Sequence, residues 1–148
     1  MPTLLRNALA ILAGIVVGGA VNMALVTLSP ALIPPPAGVD VNDAASLGRS
    51  MHLFQPRHFV MPFLAHALGT LAGALAAYLV AASHGARLAW AVGAFFLCGG
   101  VAASFMIPAP AWFVALDLAA AYLPMAWLAI RIGDRMKPGS AAARVTAA

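Results

Sequence analysis

The sequence predicts an all-α integral membrane protein, a bundle of four transmembrane helices with a long first extracytoplasmic loop that holds a short amphipathic helix. Three observations predict it. Of 148 residues, 64% are apolar and only 8% are charged, whereas a soluble domain carries about a quarter charged residues. The apolar residues gather into four runs, each near the ~20 residues needed to cross ~30 Å of hydrocarbon. The cations flank those runs instead of forming a basic patch interleaved with aromatics, so the net charge of +4 reads as membrane flanks and not as a nucleic-acid surface.

The first span is expected from Leu4 to Leu28, ending before Ser29-Pro30. Its apolar run Ala8–Leu28 follows Arg6 as in a signal peptide, but is too long for a signal h-region and lacks a clean A-x-A site, so it reads as an uncleaved helix. The second is expected over Phe59–Ala82, the third over Arg87–Ile107 and the fourth over Ala111–Ile132. Short links make the last three antiparallel neighbours. Pro124 lies inside the fourth, where a missing backbone donor predicts a kink just beyond Asp117. Residues 1–137 read as a single transmembrane domain, and the small, polar stretch 138–148 as a flexible cytoplasmic tail.

Charge orients the bundle. Arg6, Arg87, Arg131, Arg135, Lys137 and Arg144 fall on the side of the N-terminus, the second link and the C-terminus; Arg49 and Arg57 fall on the other. The positive-inside rule then places both termini in the cytoplasm of a bacterial-type inner (plasma) membrane and the loop 29–58 outside. In that loop Pro34-Pro35-Pro36 is stiff and extended. Asn42 or Asp43 caps a helix from Ala44, on which Leu47, Met51 and Phe54 share one face, and Pro56 ends it. This helix reads either as a lid on the outer mouth or as an interfacial anchor.

Small residues predict how the spans pack. Ala10, Gly14, Gly18 and Asn22 recur every four residues in the first span, and Ala65, Gly69, Gly73 and Ala77 in the second. Such stripes permit close backbone approach in lipid. They are contact faces either within the bundle or, through Gly14/Gly18 or Gly69/Gly73, between copies in a homo-oligomer.

Asp117 is the one carboxylate inside an expected span, and His66 the one histidine well inside one. An intramembrane charge is costly, so it has a partner and often a task. Counted from the outer ends of their spans, Asn22, His66 and Asp117 each lie about six residues, or ~9 Å, deep. Thr70, one turn below His66, and Ser104 are expected to join them; His58, His52 and Arg57 are expected at the pocket mouth. Asp117 is expected as charge or proton acceptor, His66 as titrating partner and Asn22 as orienting amide. The expected function is binding or transport of a small ligand or ion, linked to protons, with the lipid bilayer as the other partner and no nucleic acid.

Other readings stand beside it. The same residues would make a polar knot that fixes helix register. A membrane-embedded enzyme acting on a lipid or apolar substrate would use His58, His66 and Asp117 as metal ligands, or Ser104, His66 and Asp117 as a triad. An accessory subunit of a larger complex is a further alternative. No cofactor is specified by any motif, and the single cysteine, Cys98, forbids an intrachain disulfide. Small four-helix multidrug exporters are similar in size, but their acidic residue in the first span is Asn22 here. Membrane disulfide-generating oxidoreductases and claudin-like junction proteins share the four-span plan, but need cysteines that this chain lacks.

Overall fold

The computed structural model describes residues 1–137; the expected tail 138–148, with Arg144, lies outside the described residues. Those residues form helices joined by turns and loops, with no strand among them: α1 (Thr3–Leu32), α2 (Ala44–Ser50), α3 (Val60–Val80), α4 (Gly85–Met106), α5 (Ala111–Ala120) and α6 (Leu123–Met136). Two short 3-10 turns, Met51–Leu53 and Pro56–Phe59, lead into α3. Counting the second turn with α3 and joining α5 to α6, four helical segments are long and apolar enough to cross a membrane. By length and composition these segments suggest a multi-pass membrane protein.

Two boundaries differ from the sequence expectation. α1 does not stop before Ser29-Pro30 but runs 30 residues to Leu32 with Pro30 inside it, about 45 Å at 1.5 Å per residue. Pro30 sits in the last turn, where the lost backbone bond frees one carbonyl near a helix end that is open anyway. The fourth span is not one kinked helix. It breaks fully at Ala121 and Tyr122, and Pro124 lies in the first turn of a new helix, α6, where its fixed φ and missing N–H suit a helix start.

α3 is the central helix and packs against α1, α4 and α6. The contacts are made by small side chains: Ala10, Ala65, Ala74, Ala77, Ala89, Ala126 and Ala129 are fully buried. The two glycine stripes meet each other. A Cβ built on Gly14 would lie 2.7 Å from the Gly73 carbonyl oxygen, and one on Gly69 would lie 2.9 Å from the Gly18 carbonyl oxygen. The faces that offered themselves for subunit contact are thus occupied within the chain. α6 reaches α4 the same way, since a Cβ on Gly93 would lie 2.5 Å from Ala126 Cβ. Large apolar residues point outward instead: Leu4, Leu12, Val16, Phe95, Phe105 and Met106 are all exposed. In water this surface would be an aggregation liability; in lipid it is the solvated face.

The N-terminus, the α3–α4 link and the end of α6 come together at one end of the bundle. Arg6 Nε donates to the Val80 carbonyl at 3.0 Å. The Asn7 amide accepts from Ala82 N at 3.0 Å and Ser83 N at 3.3 Å, and donates to Ser83 Oγ at 3.0 Å. These bonds satisfy backbone groups that the end of α3 leaves open, and the guanidinium complements the negative end of its dipole. Lys137 Nζ donates to the Tyr78 carbonyl at 3.0 Å, and Tyr78 Oη donates to Asp134 at 2.6 Å. Replacing Asn7 with alanine removes three of these bonds and is expected to cost about 1 kcal/mol, read as a lower melting temperature in detergent micelles.

At the opposite end, Asp43 caps α2 by accepting from Ala45 N at 3.1 Å and Ser46 N at 3.0 Å. α2 does not continue to Pro56 but ends at Ser50, giving way to the first 3-10 turn. Phe59 is buried among Phe54, Trp112 and Phe113, with ring centroids 6.0, 5.4 and 4.9 Å away. This aromatic cluster ties the loop to the starts of α3 and α5.

Candidate functional site

Asp117 lies in the last turn of α5 and is 5% exposed. His66 lies in the second turn of α3. Its Nδ1 is 2.9 Å from both carboxylate oxygens of Asp117. A second donor comes from the helix break: Tyr122 Oη donates to Asp117 Oδ2 at 2.9 Å. The Tyr122 ring also stacks on the His66 imidazole, with centroids 5.8 Å apart and planes inclined by 27°. One buried carboxylate therefore takes charge-assisted bonds from two side chains, one on α3 and one in the break between α5 and α6.

Tyr122 is the residue that sequence reasoning missed. Five positions separate it from Asp117, which on an unbroken helix sets the two about 140° apart. The break at Ala121 and Tyr122 turns the phenol back onto the carboxylate. Two signals pointed there: a tyrosine deep in an apolar run needs a partner for its hydroxyl, and Pro124 sits two positions on. Gly100 of α4 completes the fit, because a Cβ there would strike the Tyr122 hydroxyl and ring.

A cavity of about 240 Å³ lies beside this cluster. Asn22 of α1, His66 and Thr70 of α3, Phe96, Gly99, Gly100 and Ala103 of α4, and Tyr122 line it. Asn22 Oδ1 and Thr70 Oγ1 are buried and have no hydrogen-bond partner among the described residues. Thr70 as a whole is 1% exposed. Buried polar atoms are almost always paired, so two unpaired ones in residues that line one cavity point to a hydrogen-bonding occupant that reaches them as the wall adjusts. With Nδ1 committed to Asp117, His66 has Nε2 left to present. When Nδ1 carries the proton, Nε2 accepts; when the ring holds two protons, Nε2 donates and the pair becomes an ion pair.

The other expected site residues fall elsewhere. Asn22 shares the cavity but makes no hydrogen bond to Asp117; the orienting group is Tyr122. Ser104 turns back on its own helix, donating to the Val101 carbonyl at 2.7 Å, so it is not held by His66 as a triad nucleophile. Ser and Thr readily make such local bonds in helices. His58 Nδ1 accepts from Gln55 N at 2.8 Å within the 3-10 turn before α3 and stands edge-on to Phe54. It therefore does not join His66 and Asp117 as a third metal ligand, and no group of three such side chains is present among the described residues. His52 and Arg57 are exposed on the loop, and none of the three mouth residues lines the cavity.

Thr70 gives a direct check on the unpaired atoms. Valine has nearly the same shape and no hydroxyl. Thr70→Val is expected to leave the melting temperature unchanged or raise it, by up to about 1 kcal/mol of stability, because the unpaired group is removed without leaving a void. A clear loss of stability on thermal unfolding would mean that the hydroxyl has a structural partner.

Comparison of the chain with protein-family models, with curated proteins and with solved structures finds no match.

Proposed function

We propose that this chain is an inner-membrane protein, with both termini cytoplasmic, that binds or carries a small ligand in the cavity between α1, α3 and α4. Proton exchange at the His66–Asp117 pair is linked to occupancy. The observation that carries the reading is the pairing of a satisfied carboxylate with two unsatisfied atoms. Asp117 has its donors, whereas Asn22 Oδ1 and Thr70 Oγ1, in two residues that line the neighbouring cavity, have none. A knot made only to fix helix register would satisfy its own atoms.

Charge supports the orientation. Arg6, Arg87, Arg131, Arg135 and Lys137 belong to the end that holds the N-terminus and the end of α6, and Arg49 and Arg57 to the loop end. Arg131 stacks over Trp127 at 5.1 Å, a pairing suited to a membrane interface. The cavity then lies in the outer half of the bilayer.

The test is a thermal-shift screen of neutral, cationic and anionic small molecules on the purified protein at mildly acidic and mildly alkaline pH, repeated on Asp117→Asn. The expected result is a compound that stabilises the wild type at one pH more than at the other. That pH dependence vanishes in the variant, whose circular dichroism stays helical. If Asp117→Asn lowers the melting temperature but keeps every ligand shift and its pH dependence, the cluster is structural and the proposal fails.

A further inference from the structure

The cavity opens sideways. Gly99 lines it and is itself exposed, and a Cβ built there meets nothing within 4 Å. Gly99 sits seven residues before Met106, so the opening is about 10 Å from the end of α4. Around it the surface is apolar: Phe95 and Met106 on the same face of α4, and Met23 and Val26 on α1, are exposed. On the α1 side a Cβ at Gly19, one turn from Asn22, also meets open space. In a bilayer this opening faces acyl chains and not water.

We infer that the cavity takes an uncharged single-chain amphiphile, which enters from the membrane between α1 and α4 and sets a hydroxyl or carbonyl end against Asn22 and Thr70. This rests on the cavity being a binding site, as proposed above, and adds its occupant and its route. The polar end follows from the unpaired atoms: Thr70 Oγ1 can donate or accept, and the Asn22 side chain offers an amide. Neutrality follows from the charges. No lysine or arginine lines the cavity to receive a phosphate or carboxylate, and the Asp117 carboxylate that would draw an ammonium group already takes bonds from His66 and Tyr122. Entry through hydrocarbon also disfavours a charged occupant by several kcal/mol. The size agrees. The cavity, at about 240 Å³, exceeds the ~150 Å³ that holds a benzene ring but falls short of the ~300–1,000 Å³ of sites that enclose a drug-sized ligand. It therefore suits one end of a longer molecule whose apolar chain runs out past Gly99 along α4.

The experiment uses a diazirine-bearing hexadecanol and the full chain reconstituted in phosphatidylcholine vesicles, with labelled residues mapped by mass spectrometry. Labelling is expected to saturate and to concentrate on residues 96–103 and around Asn22. Unlabelled hexadecanol should compete for it, whereas hexadecane and hexadecyltrimethylammonium should not. Thr70→Val is expected to lower saturable labelling about fivefold, the loss of one neutral hydrogen bond. Gly99→Leu should lower it at least as much by filling the opening, without touching the His66–Asp117 pair. Labelling that does not saturate, spreads over the exposed faces of α1 and α4, and is the same in both variants overturns the inference. If a water-soluble compound then still shows Asp117-dependent stabilisation, the site stands and only its occupant and route are wrong. If neither probe binds, both fall.

Discussion

Gly73→Ala is expected to destabilise the bundle by about 2–3 kcal/mol, the upper part of the range for overpacking a close contact. The new Cβ would lie 2.5 Å from the Gly14 carbonyl oxygen and 3.1 Å from Gly18 Cα. Both obstacles are backbone on α1, so no side-chain rotamer can relieve them. α1 must move away from α3 as a unit. That movement also carries Asn22 off Gly69, where a Cβ would now lie 3.0 Å from Asn22 Cβ, and so widens the cavity. The control is Gly19→Ala on α1. Nothing lies within 4 Å of a Cβ there, and alanine is the better helix former by about 0.5–1 kcal/mol. Thermal unfolding in one detergent should separate the two: a marked fall for Gly73→Ala, no change or a small rise for Gly19→Ala. Equal tolerance of both would mean that α1 and α3 do not meet through their glycines.

That contact shows what the sequence makes legible. The four-residue recurrence of Gly14 and Gly18, and of Gly69 and Gly73, identifies faces that must bury backbone, because nothing else explains small residues where leucine is equally soluble in lipid. It does not say whether the two faces meet each other or a second copy, since both arrangements satisfy the same spacing. Four apolar helical segments were legible from length and composition. So was the partnership of His66 and Asp117, whose side chains meet; the depth counted for Asn22 was not, because α1 runs on to Leu32. What counting cannot give is rotation across a break. Tyr122 takes the part expected of Asn22 for this reason: with the fourth span read as continuous, Tyr122 points away from Asp117, and Asn22 is left as the nearest amide. Ser104 and His58 fail for a different reason. Their polar atoms have local backbone partners three residues away, and such short bonds form before any long-range pairing needs to be considered.

Replacing Asp117 with leucine is expected to cost about 3–5 kcal/mol, the range for removing one partner of a buried charged pair. His66 Nδ1 and Tyr122 Oη would both lose their acceptor. Asp117→Asn keeps the shape and one accepting oxygen but sets an NH2 donor in place of the other, and should lose roughly 1–2 kcal/mol. The informative variant is the triple replacement Asp117→Leu, His66→Leu, Tyr122→Phe. Its substitutions are in contact, so their effects should not add. Removing the whole cluster removes the unpaired groups as well, and apolar side chains of similar volume serve as well in a helix interface as a buried ion pair does. The triple variant should therefore recover most of what Asp117→Leu loses in thermal unfolding, while pH-linked ligand stabilisation is absent. That combination says the cluster is retained for what it binds and not for what it holds. A triple variant less stable than Asp117→Leu alone would say the reverse: that hydrogen bonds from α3 and from the break between α5 and α6 to one carboxylate are what keep these helices in register.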